Sequence, residues 1–318
     1  MEKPIVSICC ITYNHEKFIA ECIEGFLMQK TTFPIEILIF DDASNDGTQV
    51  TVQKYASKDI RIKTFLQTEN QWSQQKYGLI DWLFPHAQGK YIALCEGDDY
   101  WTDPLKLQKQ VDFLEANEDY VLCFHNVKIN INEKLEQDNI TKKVNETTTI
   151  LDLACGNYIH TPSCVFRNNI KSIQLTNFNK ITAGDYYLHM LNARCGKIKK
   201  LNDTMAVYRV HQGGIHSNKP QIKKNLEWVE QLLVMRDLFT YEVKVIFDDV
   251  ITKMCNNIIE ENSNDFKHKY QAEKFKHKLL EIQLNEIKKS YQDLNFKQSS
   301  FKYLLNQILN TTKKRLLH

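Results

Sequence analysis

The sequence predicts an α/β protein with a doubly wound, mostly parallel sheet and a helical C-terminal extension. Over the first 125 residues, short apolar runs alternate with segments whose apolar residues recur at helical spacing. Such alternation is typical of parallel sheets covered by helices. Beyond Lys219 the spacing remains helical to the end, and no proline follows Pro220.

Five apolar runs predict the strands of the first part. Each run is short, rich in β-branched residues and bounded by turn residues, as buried parallel strands are. The runs are PIVSICCIT (4–12), IEILIF (35–40), IKTFL (62–66), KYIALC (90–95) and YVLCFHNV (120–127).

Helical spacing follows four of these strands. It predicts helices over residues 18–27, 49–56 and 74–84, and a fourth helix whose first position is Pro104. Proline is favoured at that position, and Thr102 or Asp103 can cap the helix.

The region after residue 125 has a different pattern. Residues 126–149 are polar and predict a loop or an exposed hairpin. Residues 149–155 and 183–196 predict helices, and 160–167 a loop that enters a strand. Residues 197–210 predict two strands joined by a turn, followed by a glycine-rich loop. We therefore expect one part over 1–218, with halves 1–125 and 126–218, and a helical extension over 219–318.

Composition narrows the class of protein. A formal net charge of +2, with 42% hydrophobic and 25% charged residues, is typical of a globular chain and predicts no nucleic-acid partner. The sequence contains no apolar run of about 18 residues and no signal-peptide pattern, so we expect a cytoplasmic protein. The nine cysteines form no CxxC pair, which favours reduced thiols over a zinc site.

Polar clusters follow three of the predicted strands. They are Thr12-Tyr13-Asn14, Asp41-Asp42 and the run from Glu96 to Asp99. In doubly wound sheets, ligands bind at the carboxyl ends of strands. Neither GxGxxG nor GxxxxGK[ST] is present, so a dinucleotide fingerprint and a phosphate loop are excluded.

Glu96, Asp98 and Asp99 suggest a cation site. Carboxylates this close raise each other's pKa unless a cation joins them, and oxygen ligands suit Mg²⁺ or Mn²⁺. An acidic turn that caps the next helix is the alternative. Asp42 could accept from a nucleobase or ribose, or cap a helix, and Tyr13 could stack on a base or simply pack.

Two residues after position 125 are candidates for a catalytic or binding role. Asp185, near the start of a predicted helix, is either a general base or a helix cap. His211 lies next to Gly213 and Gly214, where a metal or phosphate could approach, although an ordinary loop histidine fits equally well.

Three blocks resemble the family 2 glycosyltransferases, which have the GT-A fold. They are PIVSICCITYNHEKFIAECIEGFLMQ, IEILIFDDASNDGT and GKYIALCEGDDYWTDPLKLQKQVDFLE. The resemblance continues through AGDYYL to YRVHQGG and covers about residues 4–215. It implies that 1–125 is a nucleotide-sugar half and 126–218 an acceptor half of a catalytic domain.

The resemblance also implies roles for residues at the first two strand ends. Thr12, Tyr13 and Asn14 match the loop that receives the nucleotide base, with Tyr13 stacking on uracil. Asp42 matches the carboxylate that reads the base.

The remaining matches concern the diphosphate and the acceptor hydroxyl. The resemblance places Glu96 and Asp98 at the donor, with Asp98 facing the ribose or sugar, and Asp99 on a metal that bridges the diphosphate. Asp185 matches the catalytic base, and His211 a metal or phosphate contact. The chain departs from the family pattern at Glu96, which is often Asp, and before the base, where the usual Glu is Gly184.

The resemblance implies an inverting transferase that uses Mn²⁺ or Mg²⁺ and moves a sugar from a UDP-sugar to a glycan or lipid-linked acceptor. Such an enzyme would serve polysaccharide synthesis for the cell envelope. We expect His160, Thr161 and Ser163 to contact the acceptor. A nucleotidyltransferase of similar sheet type and a catalytically dead nucleotide-sugar or glycan-binding module are the alternatives.

The C-terminal extension is more basic than the rest of the chain. From Asp265 to the end there are 12 Lys and Arg residues against 5 Asp and Glu. Two apolar faces lie in this region, and both dimerisation and contact with an anionic membrane surface remain open. These faces comprise Leu280, Leu284, Ile287, Tyr291 and Leu294, and then Phe301, Leu304, Leu305, Ile308 and Leu309.

Overall fold

The computed structural model describes residues 2–169, 178–214, 219–261 and 266–293. The chain divides into two compact units, Met1–Asn218 and Lys219–His318. Among the described residues, none of the helices combines the length and the apolarity needed to cross a membrane.

The described strands all belong to the first unit and form one sheet. They are β1 (Val6–Thr12), β2 (Ile35–Asp41), β3 (Ile62–Leu66), β4 (Tyr91–Glu96), β5 (Tyr100–Trp101), β6 (Tyr120–Ile131), β7 (Lys134–Gln137), β8 (Thr147–Thr148), β9 (Val165–Arg167) and β10 (Lys197–Val210). Their order is β3-β2-β1-β4-β9-β6-β10-β5, with β7 beside β6 and β8 beside β10.

Helices cover this sheet and build the second unit. In the first unit they are α1 (Ile19–Leu27), α2 (Thr48–Ala56), α3 (Phe84–His86), α4 (Lys106–Ala116), α5 (Ile150–Ala154) and α6 (Gly184–Ala193). In the second unit they are α7 (Gln221–Met235), α8 (Tyr241–Glu261) and α9 (Phe266–Asp293).

The predicted α/β class is confirmed, and all five predicted strands form. Strands β3, β2, β1 and β4 run parallel, whereas β9 pairs antiparallel with both β4 and β6. Nearly every residue of β1 and β2 is buried, which explains why their sequences are continuously apolar. The parallel register pairs Thr12 with Asp41 and Ile11 with Glu96, so three polar clusters lie at one edge of the sheet.

The helix predicted over 74–84 forms only in part and is not one continuous α-helix. This segment contains a 3-10 turn, Trp72–Gln74, and then a π-helix, Gly78–Leu83, which leads into α3. The Asp81 side chain accepts a 2.6 Å hydrogen bond from the Tyr77 backbone N–H. The Tyr77 carbonyl in turn accepts from the Asp81 N–H at 2.8 Å, so these two residues are bonded in both directions at the start of the π-helix.

The start of α4 also differs from the prediction. The helix begins at Lys106, two residues after Pro104. Asp103 accepts a 2.8 Å hydrogen bond from the Leu105 N–H, so it forms a turn before the helix and does not cap a helix that begins at Pro104.

In the second half, residues 126–149 contain the hairpin that was one of the two predicted alternatives. Strands β6 and β7 pair antiparallel, and Asn132 and Glu133 between them both have positive φ, at 49° and 66°. This is the backbone of a tight two-residue turn. The predicted pair of strands over 197–210 is instead the single strand β10, which absorbs the expected turn as a bulge between Leu201 and Thr204.

The three helices of the second unit contact one another and bury an apolar core. The buried residues are Leu226, Val229, Leu232, Val243, Phe247, Ile251, Cys255, Ile258, Ala272, Phe275, Leu279 and Leu284. Of the first predicted apolar face, Leu284 is buried and Ile287 is 39% exposed. Leu294 and the face from Phe301 to Leu309, with the basic residues beyond it, lie outside the described residues.

Candidate functional site

The acidic loop begins where β4 ends. The Gly97 N–H donates a 2.9 Å hydrogen bond to the Ile11 carbonyl, which ties this loop to the end of β1. A Cβ on Gly97 would lie 2.6 Å from Thr12 Oγ1, so only glycine fits between the two strand ends. The Asp99 N–H then closes a turn on the Glu96 carbonyl at 3.1 Å.

Asp98 lies between two imidazoles. Its Oδ2 is 3.0 Å from Nε2 of His211 and 3.7 Å from Nε2 of His15. Burial opposes ionisation of Asp98, but the hydrogen bond to His211 and the influence of His15 hold its pKa below the ordinary value. The Gly213 N–H donates to His211 Nδ1 at 3.2 Å, so a neutral His211 carries its proton on Nε2 and donates to Asp98.

The pKa values of Asp99 and Glu96 are raised, in contrast to that of Asp98. Asp99 is 1% exposed, and burial together with the charges of Asp98 and Glu96 raises its pKa well above the ordinary value. Its Oδ1 accepts a 2.8 Å hydrogen bond from the Arg209 backbone N–H. Burial, followed by the charges of Asp98 and Asp185, raises the pKa of Glu96 to about 8.

These side chains fit a divalent cation. The potential ligand atoms form two groups, Glu96–Asp98–Asp99 and His15–Asp98–His211, and within each group the atoms lie within 4.8 Å of one another. Among the described residues, Oδ1 of Asp98 and Oδ2 of Asp99 are buried without a hydrogen-bond partner. Buried carboxylate oxygens without partners are costly, and Mn²⁺ or Mg²⁺ would satisfy them.

The first predicted cluster joins the ends of β1 and β2. The Asn14 N–H donates to Ser44 Oγ, and Asn14 Oδ1 accepts from the Asn45 N–H, each at 2.8 Å. Asn14 has a φ of 56°, which turns the chain sharply after Tyr13. Tyr13 is 43% exposed, so its ring is accessible for stacking, and Thr12 is buried against the acidic loop.

The two aspartates after β2 have different surroundings. Asp41 is fully buried and accepts from the Ser44 N–H at 2.9 Å, so it supports the local fold. Asp42 accepts from the backbone N–H groups of Gln71 at 2.6 Å and Trp72 at 3.3 Å. Its carboxylate therefore holds the 70–72 segment at the edge of the site, a contact that the sequence did not reveal.

Asp185 lies in the first turn of α6. The residue before that helix is Ala183, and no side chain caps the helix, so Asp185 does not act as its N-cap. Asn157 Nδ2 donates to Asp185 Oδ2 at 3.2 Å. The charge of Asp185 contributes to the raised pKa of Glu96, after burial and the charge of Asp98, so the two carboxyls lie close enough to interact.

The predicted acceptor residues are only partly available to a ligand. His160 Nε2 lies 3.1 Å from Asp138 Oδ2, and its ring lies 4.8 Å from that of Tyr208. Thr161 is 9% exposed. The Ser163 hydroxyl is fully buried and donates to the His160 carbonyl at 2.7 Å, so the expectation that it contacts the acceptor is not supported by its position.

Buried side chains after the acidic loop anchor this turn. Trp101 Nε1 donates to the Pro162 carbonyl and Gln110 Nε2 to the Ser163 carbonyl, each at 2.9 Å. The Lys106 ammonium donates to Gln110 Oε1 at 2.8 Å and lies 4.1 Å from the centroid of the Trp101 ring. The segment YWTDPLKLQKQ therefore fixes the turn that carries His160.

Sequence reasoning missed His15 and Arg209. His15 directly follows the base-loop residues, and Arg209 lies two positions before His211, so neighbourhood in sequence was the available signal. The Arg209 guanidinium donates to the Asp98 carbonyl at 2.5 Å, pairs with Glu21 and lies 4.3 Å from the Tyr100 ring centroid.

Known proteins are similar to this chain in sequence. A family model described as glycosyl transferase family 2 matches residues 7–174. An uncharacterised protein of Mycobacterium tuberculosis is 37% identical over 215 residues, which make up 66% of this chain and 60% of that protein. The UDP-Glc:alpha-D-GlcNAc-diphosphoundecaprenol beta-1,3-glucosyltransferase WfaP of Escherichia coli is 30% identical over 226 residues, 68% of this chain and 81% of WfaP.

Solved structures share the fold. TarS 1–349 of S. aureus in complex with UDP-GlcNAc has a TM-score of 0.64 at 18% identity, and the match covers 86% of this chain and 80% of TarS 1–349. The mannosyltransferase PcManGT from Pyrobaculum calidifontis, in complex with GDP-Man and Mn²⁺, has a TM-score of 0.57 at 15% identity and covers 100% and 88%. These likenesses confirm the predicted GT-A fold.

Proposed function

Because the chain belongs to glycosyl transferase family 2, we propose that this glycosyltransferase uses a UDP-sugar and inverts the anomeric centre during transfer to an acceptor hydroxyl. One observation carries the proposal. The buried carboxylates Asp98 and Asp99 have unpartnered oxygens beside His15 and His211, at the sheet edge that also holds Asp185.

Asp98 and Asp99 would hold the cation, with Glu96 and His15 next to it. His211, the other predicted metal contact, would act through Asp98, because its Nε2–H donates to that carboxylate. When bound, Mn²⁺ or Mg²⁺ would stabilise the negative charge that develops on the leaving diphosphate. The protein's own contribution is orientation, because the Arg209 backbone N–H fixes Asp99 and the Gly213 N–H fixes His211. Such fixed donors and acceptors need no reorganisation when the bond to the leaving group breaks.

Asp185 would accept the proton from the acceptor hydroxyl as that oxygen attacks the anomeric carbon from the face opposite the diphosphate. A single displacement of this kind inverts the anomeric centre. The Asn157 amide orients the Asp185 carboxylate through the 3.2 Å hydrogen bond. Asp185 lies in the first turn of α6, at the N-terminal end of that helix.

The proposed donor site follows from the other two strand ends. Tyr13 offers an accessible ring for stacking on uracil, with Thr12 and Asn14 shaping the loop beside it. Asp42 would accept from the base while it holds the 70–72 segment. The Escherichia coli relative is named for UDP-Glc, and the TarS structure contains UDP-GlcNAc, which supports a UDP-sugar here.

The proposed acceptor is a glycan or a lipid-linked sugar, with polysaccharide assembly for the cell envelope as the context. The name of the Escherichia coli relative specifies a diphosphoundecaprenol-linked acceptor, which supports this class. His160 and Thr161 remain candidates for acceptor contacts. We further propose that the enzyme is cytoplasmic, and that its C-terminal helices contact either a second copy or a membrane surface.

A donor screen tests the proposal. The purified chain is incubated with UDP-, GDP- and dTDP-sugars, and nucleotide release is measured with Mn²⁺, with EDTA, and after Mn²⁺ is restored. We expect slow UDP release that EDTA stops and Mn²⁺ restores, and loss of it in Asp99→Asn. Pyrophosphate release from a nucleoside triphosphate would favour a nucleotidyltransferase, and UDP binding without turnover a dead binding module.

Asp185→Asn tests the base separately. With an acceptor supplied, this variant should bind UDP with unchanged affinity and lose at least about 100-fold in transfer rate, as expected for loss of a general base. Transfer at the wild-type rate would mean that another group takes the proton.

A further inference from the structure

Three partly exposed aromatic side chains form a continuous row in the first unit. The ring centroids of Trp72 and Tyr77 are 5.3 Å apart, and those of Tyr77 and Phe178 are 4.7 Å apart, with edge contacts in both pairs. Trp72 is 55% exposed, and the other two are half-buried. We call Trp72, Tyr77 and Phe178 the aromatic row.

The aromatic row runs from the donor side of the site to the proposed base. At one end, the Trp72 backbone N–H donates to the Asp42 carboxylate. At the other end, Phe178 covers the start of α6, where a Cβ on Gly184 would lie 2.6 Å from Phe178 Cζ. Asp185 is the next residue in α6, so the row ends one residue from the proposed base.

Gly184 explains why an aromatic ring can lie there. The family pattern often has Glu directly before the base, and any side chain at 184 would collide with Phe178 at its present position. This chain therefore has an apolar ring in the space that a side chain at position 184 would occupy. Phe178 is held from behind by the buried Tyr187, at a centroid distance of 6.1 Å.

An exposed row of this kind favours a ligand with an apolar face and a polar rim. Removing apolar surface from water stabilises a complex by about 25 cal/mol per Å², and aromatic rings in binding sites commonly provide that surface while a few polar groups fix orientation. The C–H face of a pyranose ring has this character, whereas an acyclic polyol phosphate lacks it.

We propose that the aromatic row is the acceptor subsite and stacks against the C–H face of a pyranose ring whose hydroxyl points toward Asp185. This inference rests on the proposed function, because it takes Asp185 as the base. It makes the acceptor a cyclic sugar, and it makes Trp72 and Tyr77 binding residues for that sugar.

Saturation-transfer NMR on the full chain tests this inference. The probes are methyl α- and β-pyranosides of glucose, galactose and N-acetylglucosamine, with ribitol 5-phosphate as the acyclic comparison. We expect saturation to concentrate on the C–H protons of one ring face for at least one pyranoside. The signal should fall at least fivefold in Trp72→Ser and in Tyr77→Ser. Tyr241→Ser, which removes a 76% exposed aromatic ring from the second unit, should leave it unchanged.

Thermal shift with UDP and Mn²⁺ on the same proteins distinguishes failure of this inference from failure of the proposed function. Because the Trp72 contact to Asp42 comes from the backbone, UDP binding should survive Trp72→Ser. The inference is overturned, with the proposed function intact, if no pyranoside gives a face-selective signal. It is also overturned if Trp72→Ser or Tyr77→Ser loses UDP binding and keeps pyranoside binding. Failure of the wild type to bind UDP would instead count against the proposed function.

Discussion

Asp98 and His211 are 113 positions apart in sequence and are joined by a 3.0 Å hydrogen bond between Oδ2 and Nε2. The bond connects the acidic loop after β4 with the glycine-rich segment after β10. Because the Gly213 N–H fixes the other ring nitrogen, a neutral His211 has its orientation and its tautomer determined. The same carboxylate is shared by both candidate cation groups, so His211 is expected to affect metal binding through Asp98.

His211→Gln should weaken the cation site. Loss of the imidazole removes the N–H donor that orients Asp98, and loss of a group that orients a metal ligand typically costs about 10–100-fold in metal affinity or activity. We expect the Mn²⁺ concentration for half-maximal UDP release to rise by about that factor. His277→Gln in the second unit is the matched control. An unchanged Mn²⁺ requirement in His211→Gln would remove His211 from the site.

Glu96 should make stability depend on pH. Its pKa is raised to about 8 in the folded protein, against about 4.3 in an unfolded chain. The folded state therefore binds the additional proton between these values, so the stabilisation is complete below the unfolded pKa and is lost as pH rises toward 8.

In EDTA, the melting temperature of the wild type should fall relative to that of Glu96→Gln as the pH rises from 5 to 8. Glu118→Gln, at an exposed carboxyl, should keep the wild-type slope. Asp99, whose pKa is also raised, and the buried His125 and His189, whose pKa values are lowered, contribute to the slope that both proteins share. Identical pH profiles for Glu96→Gln and the wild type would show that Glu96 does not titrate in this range.

Gly184 and Phe178 should be energetically coupled. Gly184→Ala places a methyl group 2.6 Å from the present position of Phe178 Cζ, and such overpacking typically costs about 1–3 kcal/mol. In a Phe178→Ala background the same change should cost close to nothing. Chemical denaturation of the four proteins gives the coupling energy, and a coupling below about 0.3 kcal/mol would contradict the contact.

Arg236 should stabilise the second unit. This residue is 2% exposed and donates to Asp248 at 2.7 Å and to Glu286 at 2.8 Å. Removing one partner of a buried pair leaves an uncompensated charge and typically costs about 3–5 kcal/mol. The partial exposure of Glu286 places our expectation for Arg236→Met at the lower end of that range.

Hydrogen exchange of α8 in the full chain measures this effect. Opening of α8 should become easier in Arg236→Met. The control is Lys253→Met, which removes an exposed pair with Asp249 and should change stability by no more than about 0.5 kcal/mol. Equal exchange in the two variants would contradict the role of Arg236.

The core of the fold was predictable because its signals are local. The strands β1 and β2 are buried on both faces, so their consecutive residues are apolar and predict the burial. Their parallel register then aligns Thr12 with Asp41, which is why the polar clusters could be expected at one edge. The π-helix over Gly78–Leu83 was missed because its apolar residues do not distinguish a π-helix from an α-helix.

The site was predictable where its residues end a strand and unpredictable where they meet across loops. Asp98 and Asp99 directly follow an apolar run, so their type and spacing indicated a cation site. The positions of His15 and Arg209 around them depend on two turns that pack against each other, and no periodic pattern in the sequence predicts that packing. The contact between Phe178 and Gly184 is of the same kind.

We claim that the acidic loop after β4 binds a divalent cation together with a nucleoside diphosphate. Calorimetric titration of UDP into the purified chain tests this. We predict that UDP binds at least tenfold more tightly with Mn²⁺ than with EDTA, and that Asp98→Asn abolishes the difference. Equal UDP affinity under both conditions in the wild type would contradict the claim.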